Sequence, residues 1–192
     1  MATNKAIALT GQAILGILSS ECPPEFAGAQ FELYQPSNFS SPMEEGISLY
    51  LYRVTINTSR RNLAKRTDAQ GKTFRPSLPV DLFYMVTPWA RTAARQQRLL
   101  GWAMRALEDM NTLPANTLNR YGEQGSFGPH EAVELICEPI ALQDMINIWE
   151  VFKPHQQLSV TYIARMIMID SEIELTEGPL VGARGVEAGE KG

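Results

Sequence analysis

The stretch Pro79–Leu113, PVDLFYMVTPWARTAARQQRLLGWAMRALEDMNTL, joins the strongest strand pattern of the chain to its strongest helix pattern. Residues 80–86 are β-branched, aromatic or aliphatic apart from Asp81, and Pro79 and Pro88 bound the run. This pattern predicts a short, well-covered strand.

After this strand the apolar period changes to that of an amphipathic helix. Thr87 is the predicted N-cap, with Pro88 at the first helical position. One face carries Ala93, Gln97, Leu99, Leu100, Ala103, Met104, Leu107 and Met110. The opposite face carries Arg91, Arg95, Arg98 and Arg105, with Trp102 in line with them. An aromatic among arginines fits either an interface or the edge of the chain's own core, and the pattern does not decide between them.

The remaining periodicity predicts two more helices and four more strands. Helices are predicted from residue 6 to residue 22 and over 142–152, and strands over 30–34, 46–57, 132–137 and 158–169. Trp149 lies on the apolar face of the last helix, where we expect a core residue. The order of elements favours an α+β fold with a single mixed, partly antiparallel sheet and flanking helices.

Two further segments have no sustained apolar period. Residues 58–78 are basic, and we predict a long mobile loop there. Residues 111–129 are rich in proline, asparagine and glycine and also predict a loop. We expect one domain over 1–171 and a flexible, glycine-rich tail over 172–192.

Charge is distributed unevenly along the chain. The net charge is −4, yet residues 60–105 hold ten basic and two acidic side chains, a net +8, which leaves −12 for the rest. Such a separation suits an assembly in which a basic surface meets an acidic one. Nucleic acid is the other partner that a basic surface fits, and a charge run is also often a solvated face.

Patterns that carry catalytic or cofactor chemistry are absent from the sequence. There is no phosphate loop, dinucleotide fingerprint or nucleophile elbow, and the two cysteines, Cys22 and Cys137, lack metal-ligand spacing. His130 is followed by Glu131 and Glu134, but a strand there would place those carboxylates on opposite faces. We therefore expect no enzyme activity, no cofactor and no metal.

No run of the sequence has the length and apolar character of a membrane span, and the first residues do not resemble a secretory signal. We expect synthesis in the cytoplasm and no stable membrane insertion.

The central stretch, together with INTSRRN at residues 56–62 and the run ELICEPIALQDMINIWEVFKPHQQLSVTYIARMIMIDS at residues 134–171, resembles the tube-cap or tail-terminator family of extracellular contractile injection systems, the phage-tail-like particles. The family's motif residues fall on Asn57, Arg61, Asn62, Leu82, Tyr84, Thr87, Pro88, Leu100, Gly101, Met104, Trp149, Ser159, Tyr162 and Ser171. Among these, we expect Leu82, Leu100, Trp149 and Tyr162 to serve the fold.

The resemblance implies a structural cap. Such a protein forms a ring, a hexamer by family analogy, on the end of the inner tube and sheath farthest from the baseplate, and it ends polymerisation and stabilises the extended particle. The implied location is an assembled particle that is released from the cell. A nucleic-acid-binding or adaptor protein that uses the basic 60–105 surface is the alternative.

The resemblance and the charge pattern together indicate candidate contacts to neighbouring cap, tube or sheath subunits. These are Arg60, Arg61, Asn62, Lys65, Arg66, Arg91, Arg95, Arg98, Trp102 and Arg105.

Overall fold

The computed structural model of the protein describes residues 2–60, 63–68, 70–121, 125–152 and 156–175. Its strands are β1 (Gln30–Tyr34), β2 (Gly46–Ile56), β3 (Arg66–Thr67), β4 (Thr73–Phe74), β5 (Leu78–Trp89), β6 (Thr112–Pro114), β7 (Ala132–Cys137) and β8 (Val160–Ile169). Its helices are α1 (Ala6–Ser20), α2 (Ala93–Asp109), α3 (Ala115–Arg120) and α4 (Leu142–Phe152). None of these helices is long and apolar enough to cross a membrane.

The main sheet has six strands in the order β1-β2-β5-β8-β7-β6, and β3 and β4 form a separate ribbon. Strands β1 and β2 are parallel, whereas the other pairs of the main sheet are antiparallel. The predicted α+β fold built on one mixed, partly antiparallel sheet is therefore confirmed.

Strand β5 is longer than the short strand predicted over residues 80–86, because it runs through both bounding prolines from Leu78 to Trp89. Every residue from Pro79 to Trp89 is buried, with β2 on one side and β8 on the other. Helices α1, α2 and α3 contribute to the larger core on one face of the sheet, which includes Leu82 and Tyr84. Because alternate side chains of a strand point to opposite faces, Met85 and Trp89 belong to a second cluster.

This second cluster joins the sheet to helix α4. The 3-10 turn Pro36–Ser40 places Phe39 against the ring of Trp149, with ring centroids 5.3 Å apart. Trp149 is fully buried, as its place on the helix predicts. Leu82, Leu100 and Tyr162 are buried as well.

The predicted N-cap of α2 is wrong. Strand β5 continues through Pro88 and Trp89, and the indole N–H of Trp89 donates to the hydroxyl of Ser48 in β2 at 2.8 Å. The helix therefore begins later, and Thr92 is its N-cap, with its side chain accepting the N–H of Arg95 at 3.3 Å.

The basic segment 58–78 is not the structureless loop that we predicted. It holds a 3-10 turn at Thr58–Arg60 and the β3–β4 ribbon. The carboxylate of Asp68 accepts the backbone N–H groups of Gln70 and Lys72, both at 2.9 Å, which closes the turn between the two strands.

Regular structure also occurs in two other segments of the described chain. Residues 111–129, predicted as a loop, contain β6 and α3. Residues 173–175 extend the small ribbon: Arg75 donates its N–H to Ile173 at 3.1 Å, and Leu175 donates to Thr73 at 2.7 Å. The greater part of the predicted tail, residues 176–192, lies outside the described residues.

Candidate interface surface

Helix α2 begins where three acidic side chains approach its first turns. Arg91 pairs with Glu44, Arg95 with Glu45, and Arg98 with Glu25. Glu44 and Glu45 directly precede β2, and Glu25 lies in the 3-10 turn Pro24–Phe26. The ion pairs therefore connect the start of α2 to the segments that flank the parallel edge of the sheet.

Arg95 is the most enclosed of these arginines, with 31% of its side chain exposed. Its Nε donates to Glu45 at 2.8 Å, and its terminal nitrogen donates to the backbone oxygen of Glu25 at 2.8 Å. The guanidinium also lies 5.3 Å from the centroid of the Phe26 ring. The hydrogen bond that Arg95 donates to the carboxylate of Glu45 raises the pKa of Arg95. Arg95 thus positions α2 against the rest of the fold.

The other arginines on α2 are more exposed. The side chain of Arg91 is 79% exposed, and its pKa is raised by its hydrogen bond to Glu44. Arg98 lies 3.5 Å from Glu25. Arg105 pairs with Asp109 one turn along the same helix. The carboxylates reduce the net positive charge of the predicted arginine face, although its guanidinium groups remain accessible.

Within the chain, Trp102 packs at the edge of the core. Its ring lies 6.0 Å from the rings of both Phe26 and Phe31, measured between centroids. It packs against the main core and is half-buried. The exposed part of the ring stays a predicted contact.

The remaining predicted contact residues lie elsewhere on the molecule. Arg60 and Lys65 are exposed, and Arg66 lies 3.7 Å from Asp170 with its guanidinium over the ring of Phe74 at 4.3 Å. Arg61 and Asn62 lie outside the described residues.

The basic residues between positions 60 and 105 therefore do not form one patch. Segment 58–75 precedes β5 and the start of α2 follows it. The twelve residues of this strand separate its two ends by about 40 Å at about 3.3 Å per residue.

Sequence reasoning did not identify the acidic partners. Glu44 and Glu45 are adjacent in sequence just before a predicted strand, a pattern typical of a solvated turn, and Glu25 is in no recognisable pattern. The partners of Arg91 and Arg95 are separated from them by 47 and 50 residues. No local sequence pattern predicts contacts between residues so far apart along the chain. The register of β2 against β5 brings Glu44 and Glu45 next to Arg91 and Arg95.

Three residues that match the family motif form polar contacts within the fold: Asn57, Thr87 and Ser159. The amide of Asn57 donates to both carboxylate oxygens of Asp81, at 3.0 and 3.1 Å. The hydroxyls of Thr87 and Ser159 are 2.9 Å apart. These contacts connect β5 to the segment after β2 and to the start of β8, so they serve the fold.

No group of three or more His, Cys, Asp or Glu side chains that could hold a metal ion is found in the described ranges. His130 is exposed, and His155 lies outside those ranges. Burial raises the pKa of the Cys22 and Cys137 thiols, which disfavours their reactive thiolate form. The features observed on the α2 surface are its charged side chains and their arrangement.

Comparisons with known proteins agree with the fold. The chain matches the family described as the Pvc16 N-terminal domain over residues 10–183. No curated protein matches it by sequence.

Among solved structures, the chain is similar to the PVC sheath/tube terminator of an extracellular contractile injection system in the extended state, with a TM-score of 0.62 and 15% identity. That alignment covers 100% of this chain and 66% of the other. It is also similar to the tube-terminating cap of the anti-feeding prophage, with a TM-score of 0.61 and 15% identity over 91% of this chain and 59% of that one. The chain thus spans about two thirds or less of the length of both structures.

The family match spans most of the chain and includes the central strand, α2 and β8, the same segments on which the sequence resemblance rests. The chain therefore belongs to the Pvc16 N-terminal domain family.

Proposed function

We propose that this protein is a structural cap of a contractile injection system and ends the growth of its inner tube and sheath. The observation that carries the proposal is the family match over residues 10–183. Its support is the shared fold with a sheath/tube terminator and a tube-terminating cap. In this role the chain is part of an assembled phage-tail-like particle.

The proposed mechanism is contact geometry without catalysis. Copies of the chain contact one another head to tail and close into a ring, which we expect to be a hexamer. A head-to-tail interface makes a ring when its rotation closes and a filament when it does not. A closed ring on the last layer offers no site for a further layer of tube or sheath, so polymerisation stops and the extended particle is stabilised.

The two basic surfaces have different parts in this proposal. Arg60 and Lys65, at the ribbon end of the sheet, are exposed cations available to an acidic neighbour. The α2 surface holds Arg91 and Arg98, whose exposed guanidinium groups reach a neighbour while their carboxylate partners fix their direction. Arg95 and Trp102 support this surface from within the chain.

The alternative of nucleic-acid binding is not favoured. Four arginines of α2 and its approach face carboxylates of the same chain, which would repel phosphate. The aromatic ring on this surface, Trp102, also packs against Phe26 and Phe31, which leaves less of it for base stacking.

The test of the proposal is omission and complementation. Particles are produced without this chain and with it, and the lengths of their tubes and sheaths are measured by negative-stain electron microscopy. We expect a broad length distribution without the chain, and a uniform length with a ring of density at one end when it is restored. Uniform particles in its absence would exclude the capping role.

The α2 surface needs a control because its arginines also bind within the chain. Arg91 and Arg98 are changed together to Glu in one variant. In the matched variant Glu44 and Glu25 are changed together to Gln, which removes the same ion pairs and keeps the arginines. An interface role predicts loss of capping in the first variant alone, whereas equal loss in both would assign the arginines to the fold.

A further inference from the structure

Strand β2 is longer than its neighbour on the outer side of the sheet. Strand β1 pairs residues 30–34 with residues 46–50 of β2 and then ends. Strand β2 continues to Ile56, paired with β5 on its inner side. Within the described part of the chain, residues 51–56 have no strand on their outer side. The outer edge of β2 is therefore unpaired over residues 51–56, and a further strand could lie there in line with β1. We call this unpaired edge the open lane.

The backbone groups that face this lane follow from the ladder. The N–H of Asn57 donates to Pro79 of β5 at 2.9 Å. Since backbone groups of successive strand residues point to alternate sides, Thr55 also faces β5. Val54 and Ile56 therefore direct their N–H and C=O groups into the open lane, where a further strand could bind them.

Exposed apolar side chains border the same lane. Val54 lies opposite Leu82, and Ile56 lies opposite Val80, both of them residues of the main core. Val54 and Ile56 therefore project on the helix-bearing face, but they are 44% and 55% exposed. Leu78, two residues before Val80 and on the same face, is 45% exposed. An edge strand with exposed valine and isoleucine is unusual, because charged residues or proline normally protect the edge strands of native sheets against pairing with another chain.

The rim of this apolar strip is positively charged. Arg53 is exposed with its guanidinium 3.8 Å from the centroid of the Phe83 ring, on the other face of the sheet. Arg60, Lys65 and Arg75 are exposed on the segments that follow β2 and precede β5. In the ribbon, Arg66 and Lys72 form ion pairs with other described residues.

The local acidic groups do not neutralise this rim. The carboxylate of Asp68 is bonded to the backbone N–H groups of Gln70 and Lys72. Asp170 and Glu174 pair with Arg66 and Lys72. Arg60, Lys65 and Arg75 form no ion pair with another residue of the part of the chain that the structure describes. An acidic partner segment would therefore complement this rim.

We infer that the outer edge of β2 at Val54–Ile56 is a strand-addition site for an extended segment of a partner protein in which acidic and apolar residues alternate. Main-chain hydrogen bonds to Val54 and Ile56 supply affinity, as in other strand-addition complexes. The apolar residues of the partner cover Val54 and Ile56, and its acidic residues face Arg53 on the opposite side and Arg60 at the end. The inference stands on the sheet geometry and is independent of the proposed function.

The test uses the purified full chain and a fluorescein-labelled decapeptide that alternates valine and glutamate. Fluorescence anisotropy measures its binding beside two control peptides, one with lysine in place of glutamate and one with backbone N-methyl groups at every second residue. We expect saturable binding of the glutamate peptide alone, because the lysine peptide is repelled and the methylated peptide cannot form the ladder.

Substitutions then locate the site. The double variant Val54→Lys with Ile56→Lys should weaken binding at least about tenfold, equivalent to about 1.4 kcal/mol. Val151→Lys is the matched control, because Val151 is 73% exposed on α4 and should leave binding unchanged. Both variants are first checked for folding by circular dichroism.

Amide exchange measured by NMR gives a second, independent reading. In the complex Val54 and Ile56 should gain protection, whereas Thr55 and Asn57 should already be protected in the free chain. Absence of saturable binding, equal binding of the lysine peptide, or an unchanged affinity in the double variant would overturn the inference. Self-association of the chain that disappears in the double variant would also overturn it, because a second copy would then occupy the edge.

Discussion

The carboxylate of Asp81 accepts the backbone N–H of Met166 at 2.9 Å. Met166 has a φ of 62°, in the left-handed region that costs a residue other than glycine about 1–2 kcal/mol. The strands β5 and β8 shift register at this point, with Asp81 opposite two residues of β8. One buried carboxylate therefore holds a bulge in the centre of the sheet.

Replacing Asp81 should destabilise the protein severely. Asp81→Ala removes the acceptor for Met166 and for the side-chain amide of Asn57, and it leaves both donors buried. We expect a loss of about 3 kcal/mol in the free energy of unfolding, measured by urea denaturation. Asp68→Ala is the control, since Asp68 lies in an exposed turn and should cost much less. A similar loss of unfolding free energy in the two variants would contradict the prediction, because the buried contacts of Asp81 would then contribute no more than those of an exposed turn.

The extent to which sequence predicts this structure differs between periodic and non-local features. The β5–α2 stretch is strongly periodic, so its strand and helix follow from hydrophobic spacing. Its boundary was misplaced because Trp89 is held in the strand by Ser48, a residue 41 positions away. Asp81 stood out as the polar residue of an apolar run, but its role depends on a bulge in a strand that is distant in sequence.

The candidate interface surface also has one feature that the sequence predicts and one that depends on non-local contacts. The arginine face of α2 follows from spacing along one helix. Its pairing with Glu25, Glu44 and Glu45 depends on which strands are neighbours in the sheet, and charge counts along the chain cannot report that. The open edge at Val54 likewise arises because β1 is shorter than β2, which is a property of the assembled sheet.

Two glycines should respond oppositely to alanine. Gly46 has a φ of 152°, and an added Cβ would lie 2.0 Å from the backbone oxygen of Gln30 in β1. We expect Gly46→Ala to cost about 3 kcal/mol, because it strains the backbone and separates β1 from β2. Gly101, within α2, has open space around its Cβ position, so Gly101→Ala should stabilise the chain by about 1 kcal/mol.

Thermal and urea unfolding of the two variants measure both effects. A stabilising Gly46→Ala or a destabilising Gly101→Ala would contradict the geometry. If Gly101→Ala stabilises the isolated chain and yet impairs capping of particles, a neighbouring subunit must approach the backbone of α2 closely.

Phe39 should control the docking of α4. Its ring stacks on that of Phe152 with centroids 4.2 Å apart and 9° between the planes. It also contacts the rings of Tyr34, Tyr50, Trp89 and Trp149. Phe39→Ala removes the residue that links these rings, and we expect a loss of about 3–5 kcal/mol.

Hydrogen exchange and tryptophan fluorescence measure this effect. Residues 142–152 should lose protection before the rest of the chain, and the emission of Trp149 should shift to longer wavelength as the indole meets water. Phe31→Ala is the comparison, because Phe31 packs on Trp102 at the other face of the sheet. Retained protection of α4 in Phe39→Ala would contradict the prediction.

Tyr84 should make the protein sensitive to alkali. The side chain is buried, and its hydroxyl donates to the backbone oxygen of Ile7 at 3.3 Å. Burial raises the pKa of this phenol above its ordinary value of about 10. The unfolded chain therefore ionises first, so stability is complete below about pH 10 and falls above it by about 1.4 kcal/mol per pH unit for each such phenol.

Burial also raises the pKa of Tyr162, so the wild-type slope contains more than one phenol. Tyr84→Phe should remove the contribution of one group to this slope. Below about pH 9 the same variant should be less stable by about 1 kcal/mol, because Ile7 loses its donor. The two stability curves, measured by urea unfolding from pH 8 to about pH 11.5, should therefore converge as the pH rises. Parallel curves over that range would contradict the prediction, because they would mean that the pKa of Tyr84 is the same in the folded and the unfolded chain.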